Sequence, residues 1–416
     1  MIERQLKYGR GYASVCFDEK HLLAELLPNQ VEIGLTGEDE VKRALSDPVD
    51  SAPLSVLARG KHNVVIVTSD ITRPCPSYKI IPSLLDELGK AGVKDDEITV
   101  VFAVGSHRTH SDDEKRHLVG EAVFSRVKCL DSDVSDCVHL GTTAAGTPVD
   151  IFRPVADADF RICVGNIEFH YFAGYSGGAK AVMPGVSTRD AIQSNHRMMI
   201  LDEACAGNIE TNPVRADIEE AGRILGIDFI CNVVLDAKKE IIKAVAGHPV
   251  AAHRAGCRFL DLLYKTPIEK KADIVIVSAG GFPKDMNMYQ AQKALDNAKH
   301  AVRDGGTVIW IAECTEGLGE KTFEKWMTGH EKPSDMIEHL YREFRLGGHK
   351  AAAIAMILRR ADVILVSGLG DDFVRSVHLT PAHSAQEALD GALRKYGENA
   401  TVILMPIGGS TLPEVI

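Results

Sequence analysis

The sequence has no excess of positive charge: 47 lysines and arginines stand against 58 aspartates and glutamates, a formal net charge of −11. That balance counts against nonspecific binding to nucleic acid or acidic lipid. No run of about 18 apolar residues occurs, so no segment reads as a membrane-spanning helix. The opening "MIERQLKYGRGY" lacks the apolar region of a secretion signal, which predicts a cytoplasmic protein. Nine cysteines (Cys16, Cys75, Cys129, Cys137, Cys163, Cys205, Cys231, Cys257, Cys314) form no CxxC pair and no zinc spacing. Their number is odd and several lie in apolar runs, so they read as reduced core residues. Short-period repeats and low-complexity tracts are absent as well.

What is present is a series of short β-branched runs, each followed by a glycine-rich or polar turn and then a helical pattern. "HNVVIVTSD" (62–70) leads to a helix near 77–91, and "ITVVFAVGSH" (98–107) to one near 111–119. "FRICVGNIEFH" (160–170), "ADIVIVSAGG" (272–281), "GTVIWIAEC" (306–314), "ADVILVSGLG" (361–370) and "ATVILMPIGG" (400–409) continue the series. Continuous apolar strands alternating with helices predict parallel sheets covered on both faces. "IDFICNVVLDAKKEIIKAVAG" (227–247) predicts instead an antiparallel hairpin turning through "DAKK". The expected architecture is α/β, two Rossmann-like domains with the active site in the cleft between them. The expected boundaries are 1–267 for a cofactor-binding domain, joined by the tail 400–416, and 268–399 for a second α/β domain. The charged "TPIEKKAD" separates the two.

Ligands in such folds sit at the carboxyl ends of strands, where this sequence concentrates its unusual residues. In "SDITRP" (69–74), Pro74 holds Arg73 out of helical angles, which suits bidentate capture of a carboxylate or phosphate. Asp70 either braces that turn or contacts a ligand. "GSHRTH" places His107 past one strand end, and His170 stands past another among Phe169, Tyr171 and Phe172. Two such histidines make an acid/base pair with pKa values near working pH, or surface and core-edge residues. "HYFAGYSGGAKAVMPG" (170–185) packs Gly174, Gly177, Gly178 and Gly185 around Lys180, as though built around an object that is not protein. It fails the G-x-x-x-x-G-K-[ST] pattern, with Ala181 after the lysine, so no hydroxyl is offered to Mg²⁺. Lys180, amid small and apolar neighbours, is a candidate amine of lowered pKa or simply a lysine at a helix start. Ser187 and Asp190 predict a capped helix on which Ile192, His196 and Met199 share an apolar stripe. His196 is therefore either a satisfied core residue or a metal ligand whose co-ligands come from elsewhere. "GGFPKDMNMYQAQK" brings Tyr289, Gln290 and Lys293 together around a helix start.

Taken in order, "SDITRP", "GSHR", "EFHYFAGYSGGAKAVMPG", "NHRM" and "GGFPKDMNMYQAQK" closely resemble the nickel-dependent lactate racemase family, and the likeness runs over nearly the whole chain. The resemblance implies racemisation or epimerisation of a small 2-hydroxy acid: lactate, or alternatively malate, a longer acid or a sugar acid. It implies a nickel pincer nucleotide, the nickel complex of pyridinium-3,5-bisthiocarboxylic acid mononucleotide, with Lys180 as attachment point and His196 as nickel ligand. His107 and His170 match the acid/base pair, Arg73 the carboxylate anchor, and Gln290 and Lys293 polar groups over the reacting centre. Asp70, Ser176, Gly177, Gly178 and Tyr289 fall to cofactor contact. Hydride transfer to the cofactor and back, through a 2-keto acid, explains why each enantiomer needs its own base. Cofactor-biosynthesis enzymes are the implied partners. A zinc-type hydrolase built on His107, His110 and His170 is the alternative from another class.

Overall fold

Apolar runs without polar interruption become strands buried on both faces. The computed structural model describes residues 1–105 and 107–416. In it, β1 (Val64–Ser69), β2 (Ile98–Ala103), β3 (Lys128–Asp131), β4 (Phe160–Asn166), β5 (Phe229–Leu235) and β6 (Ile241–Gly247) build one six-stranded sheet. Its order is β6-β5-β4-β1-β2-β3. Every neighbouring pair is parallel except β5 and β6, the hairpin expected around "DAKK". Helices α1 (Ser77–Lys90), α2 (Arg189–His196) and α3 (Pro213–Leu225) belong to the same unit. Ile80, Ile81, Leu84 and Leu88 of α1 join Ile66, Val100, Ile162 and Phe229 in its core.

Strand order positions the site. From β1 the chain steps outward to β2 and β3, then returns to the other side of β1 as β4. Such a reversal leaves a crevice at the carboxyl ends of the two central strands. Asp70 to Pro74 follow β1, His107 follows β2, and His170 to Lys180 follow β4.

The second sheet is parallel throughout. It comprises β7 (Ala272–Ser278), β8 (Val302–Ile311), β9 (Asp362–Val366), β10 (Thr380–Ala382), β11 (Val402–Met405) and the short strand Leu22–Glu25. The order is β10-β9-β8-β7-β11 followed by Leu22–Glu25. Helix α4 (Met288–Ala298) lies between β7 and β8 in the chain.

The domain limits differ from those expected. Val31–Asp261 forms one compact unit, while Met1–Gln30 joins Leu262–Ile416 in the other, so neither residues 1–30 nor the tail 400–416 belong with the first domain. Burial is the reason. Val402, Ile403, Leu404 and Met405 are all 0 % exposed, and β11 finds partners on both sides in β7 and Leu22–Glu25. The hairpin of Ile2–Tyr8 and Gly11–Phe17 adds Leu6, Val15 and Phe17 to the same core. Part of "TPIEKKAD" is itself a strand, Lys265–Ile268, paired with Leu412–Val415.

None of the nine cysteines forms a disulfide, as expected, but only Cys75, Cys163, Cys231, Cys257 and Cys314 are core residues; Cys129, Cys137 and Cys205 are half-buried and Cys16 is exposed. Burial pushes the thiols of Cys75, Cys163 and Cys231 up to about 12, which keeps them protonated and inert. Among the described residues, no helix is long and apolar enough to cross a membrane.

Candidate active site

At the end of β1, Asp70 is 4 % exposed and organises the turn that follows. Its Oδ1 accepts from the N–H and the hydroxyl of Thr72, and the Arg73 N–H donates to Asp70 O at 3.1 Å. Its Oδ2 lies 2.6 Å from Nδ1 of His107. Burial pushes the Asp70 carboxyl up, but hydrogen bonds from His107 and Thr72 outweigh it and hold the group below the ordinary carboxylate value. An ionised carboxylate only accepts, so His107 carries its proton on Nδ1 and keeps the Nε2 lone pair free of it.

His110 has both ring nitrogens engaged. Nδ1 lies 2.6 Å from Asp131 Oδ1, and Nε2 accepts from the Ile71 N–H at 3.1 Å. It is a strut, not a ligand, which removes the His107, His110 and His170 zinc set. Ser106 of "GSHR" lies outside the described residues. Beside it, the Gly105 N–H donates to Gly185 O at 2.9 Å, tying the His107 loop to the end of the glycine stretch.

The glycine stretch is crowded by the chain itself. Gly177 and Gly178 adopt φ of +77° and +61°. A Cβ on Gly177 would stand 2.9 Å from Asn232 Oδ1 and from Ile167 Cγ1; one on Gly178 would stand 3.0 Å from His253 Cδ2. At Gly174 and Gly185 a Cβ would come within 2.1 Å of the carbonyl oxygens of Asn208 and Ala181. These neighbours are the chain's own atoms, so close self-packing demands the glycines. Ser176 is likewise spent on the loop: its hydroxyl donates to Asn166 O at 2.7 Å and accepts from the Glu168 N–H at 2.9 Å. Arg215 on α3, 0 % exposed, donates to the carbonyls of Ala173, Tyr175 and Gly177 and holds the loop from beneath. The Gly178 N–H donates to Asn232 Oδ1 at 2.7 Å, while Asn232 Nδ2 is buried without a partner among the described residues.

The loop delivers Lys180 on the single turn Gly178–Ala181. Burial, then the positive charges of Arg73 and Arg215, push its ammonium down to about 7. His170 is pushed well below its ordinary 6.5 by burial first, then by Lys180, Arg73, His196 and Arg215. Lys180, Arg73, His196 and Arg215 thus all act electrostatically on His170. His170 Nδ1 accepts from the Ala173 N–H at 3.3 Å, so the neutral ring holds its proton on Nε2, the reverse of His107. The ring stacks on Tyr171 at 5.4 Å and meets Phe172 edge-on at 4.5 Å.

Helix α2 starts one residue later than expected. Thr188 is the cap, accepting from the Ala191 N–H, while the Ser187 hydroxyl donates to Val182 O at 2.9 Å. Ile192, His196 and Met199 are all buried, but α2 ends at His196 and Met199 lies in the 3-10 turn Arg197–Ile200 that follows. The His196 ring meets Phe172 at 4.9 Å, and its Nδ1 lies 3.0 Å from Asn195 Oδ1.

In the other unit, Asn287 caps α4 by accepting from the Gln290 N–H at 3.0 Å. Tyr289 is half-buried against Phe323, with ring centroids 5.6 Å apart. Gln290 and Lys293 are exposed. Lys350, unnoticed in the sequence, donates to Tyr289 O at 2.7 Å and lies 4.1 Å over the tyrosine ring.

Residues 8–207 match the family model "Lactate racemase N-terminal domain", and residues 268–412 match "Lactate racemase C-terminal domain". The chain belongs to the lactate racemase family. It is 35% identical to the lactate racemase of Thermoanaerobacterium thermosaccharolyticum over 99% of both chains. To the lactate racemase of Lactiplantibacillus plantarum it is 34% identical, over 98% of this chain and 99% of that one. The lactate racemase apoprotein structure from Thermoanaerobacterium thermosaccharolyticum superimposes with a TM-score of 0.87 at 32% identity, covering 99% of this chain and 100% of that one. Family membership makes the enzyme an isomerase. The residues that sequence reading passed over, Asn195, Arg215, Asn232 and Lys350, act through contacts with distant segments. Only Asn195, beside His196 in "NHRM", carried a local hint.

Proposed function

We propose that this enzyme interconverts the enantiomers of a small 2-hydroxy acid, with lactate as the first candidate and a nickel pincer nucleotide as cofactor. The observation that carries the reading is a depressed amine, Lys180, whose charge, with those of Arg73 and His196, acts on His170 just past the end of β4.

The donor set suits such a group. Among the described residues, no three His, Cys, Asp or Glu side chains converge as a metal site. A metal held at His196 would draw part of its coordination from the bound group rather than from side chains alone. Lys180, with a pKa of about 7, offers a free amine for an acyl link at neutral pH. Asn232 Nδ2 is a spare buried donor, 3.8 Å from where a Cβ on Gly165 would stand. When bound, the nucleotide supplies the two-electron acceptor that no side chain provides, because the α-hydrogen is too weakly acidic for an imidazole to abstract.

The chain's own residues do the rest. Arg73 takes the substrate carboxylate in its fork of donors. His107 accepts the hydroxyl proton at Nε2, and Asp70 stabilises the imidazolium that results. His170 serves the opposite enantiomer. A carboxylate on Arg73, and conversion of Lys180 to a neutral amide-type link, each remove positive charge that depresses His170. Gln290 and Lys293 keep the proposed role of stabilising charge on the substrate oxygen, and Tyr289 that of a cofactor contact.

The test uses protein made alongside the cofactor-biosynthesis enzymes. Intact-mass analysis reads the increment on Lys180. Loss of optical activity is followed with D- and L-lactate, malate, a longer 2-hydroxy acid and a sugar acid. Racemisation of at least one is expected; fully loaded protein inert toward all of them overturns the proposal.

A further inference from the structure

We propose that Asn195 and Asp217 are positioning residues that set the tautomer of His196 and so decide which ring nitrogen is offered to a metal. The proposal rests on the assignment of His196 as nickel ligand. The two ends of an asparagine amide differ only in chemistry: the oxygen accepts and the nitrogen donates. Here the surroundings of the nitrogen settle the orientation. Asn195 Nδ2 lies 3.2 Å from Val214 O and 2.7 Å from Asp217 Oδ2. A backbone carbonyl can only accept.

Asp217 is a collector of donors. The Thr147 hydroxyl donates to its Oδ2 at 2.8 Å, and the Thr143 hydroxyl donates to its Oδ1. Thr143 Oγ1 already accepts from the Thr147 N–H at 3.1 Å, so its proton is directed to Asp217. Three donors meeting on one carboxylate suit its ionised, acceptor-only form. The Asn195 nitrogen must then face α3, and its oxygen must face His196. His196 consequently donates from Nδ1 and carries its lone pair on Nε2.

The chain of bonds is dry and joins three elements. Asn195 is 0 % exposed, Asp217 2 %, Thr143 4 % and Thr147 0 %. Thr143 and Thr147 lie in the turn between the antiparallel strands Cys137–Thr142 and Pro148–Phe152, Asp217 on α3, and Asn195 on α2. With every member buried, water supplies no substitute for a lost partner. Metal-bound histidines commonly donate their second N–H to such a partner, whose loss weakens the metal.

Two readouts test this. First, ¹⁵N-histidine-labelled apoprotein is examined by long-range ¹H–¹⁵N correlation near pH ~8, where imidazoles are mostly neutral. Among the sixteen histidines, His196 is assigned by its absence in His196→Gln. The wild type should show Nδ1 protonated and Nε2 bare. Asn195→Leu removes the acceptor at similar volume and should move the proton to Nε2. The wild-type tautomer is read without any substitution, so the assignment is decided even if Asn195→Leu does not fold. Second, loaded enzyme is dialysed against a chelator and its nickel counted by mass spectrometry. Asn195→Leu should lose nickel about 10–100-fold faster than wild type. A wild-type ring protonated on Nε2, or an Asn195→Leu spectrum identical to wild type, overturns the proposal. Nickel retained by His196→Gln as in wild type would instead sink the ligand assignment while leaving the tautomer result standing.

Discussion

The reactivity of Lys180 offers a quantitative check on the site. Its ammonium is pushed down to about 7 from the usual 10.5, by burial first and then by Arg73 and Arg215. At pH 7 half of it is the free amine, against about 3 in 10,000 for an ordinary lysine, an advantage of about 1,500-fold. A less basic amine is a weaker nucleophile. A Brønsted slope of about 0.5, taken from thiols, returns about 50-fold of that gain over the shift. About 30-fold should remain. Trace acetylation of the apoprotein with isotopic acetic anhydride, followed by peptide mass spectrometry, reads each lysine separately. Lys180 should label with a midpoint close to pH 7, and Arg73→Gln should raise that midpoint. The same shift gives stability a direction. The folded state binds fewer protons at Lys180 than the unfolded chain between about 7 and 10.5, so this group makes stability rise with pH across that window. A labelling curve for Lys180 that coincides with the other lysines would refute the electrostatic account.

The proton shuttle predicts that His107→Ala and His170→Ala each lower racemisation by about 10²-fold or more, and full activity in either contradicts the pair. Lys180→Gln removes a charge that depresses His170, so the His170 titration followed by NMR should move upward toward 6.5. Because folding lowers this pKa, stability falls as pH drops below 6.5, and the fall should be shallower in Lys180→Gln; an unchanged His170 titration would show the two groups uncoupled. Gly177→Ala meets both a backbone region open mainly to glycine, costing about 1–3 kcal/mol, and an overpacked contact costing about 1–3 kcal/mol more. Urea unfolding should show the loss as a lower midpoint at constant slope; an unshifted midpoint would mean that the loop is not held as described.

Much of the fold was legible locally. The strands that open at Val64, Ile98, Phe160 and Ala272, the hairpin through "DAKK", and helix α1 all follow from apolar continuity, period and turn residues within about ten positions. The placement of Asp70, Arg73, His107, His170 and Lys180 at strand ends was legible too, because parallel strands and crossover helices oblige the chain to turn there. Which strands pair was not. Parallel neighbours come from distant segments, so nothing near Leu22 or Val402 announces that they lie side by side. The glycines around Lys180 stood out in the sequence, but the atoms that crowd them, on Asn208, Asn232 and His253, come from distant segments. The protonation sites of His107, His170 and His196 were beyond sequence for the same reason. A tautomer follows from the partners within hydrogen-bond reach, and Asp70, the Ala173 N–H and Asn195 take up their places only once the sheet has closed. Sequence alone determined which chemical groups the chain owns and at which turns they emerge; the tertiary structure decided their partners, and through them which nitrogen holds a proton and which amine loses one.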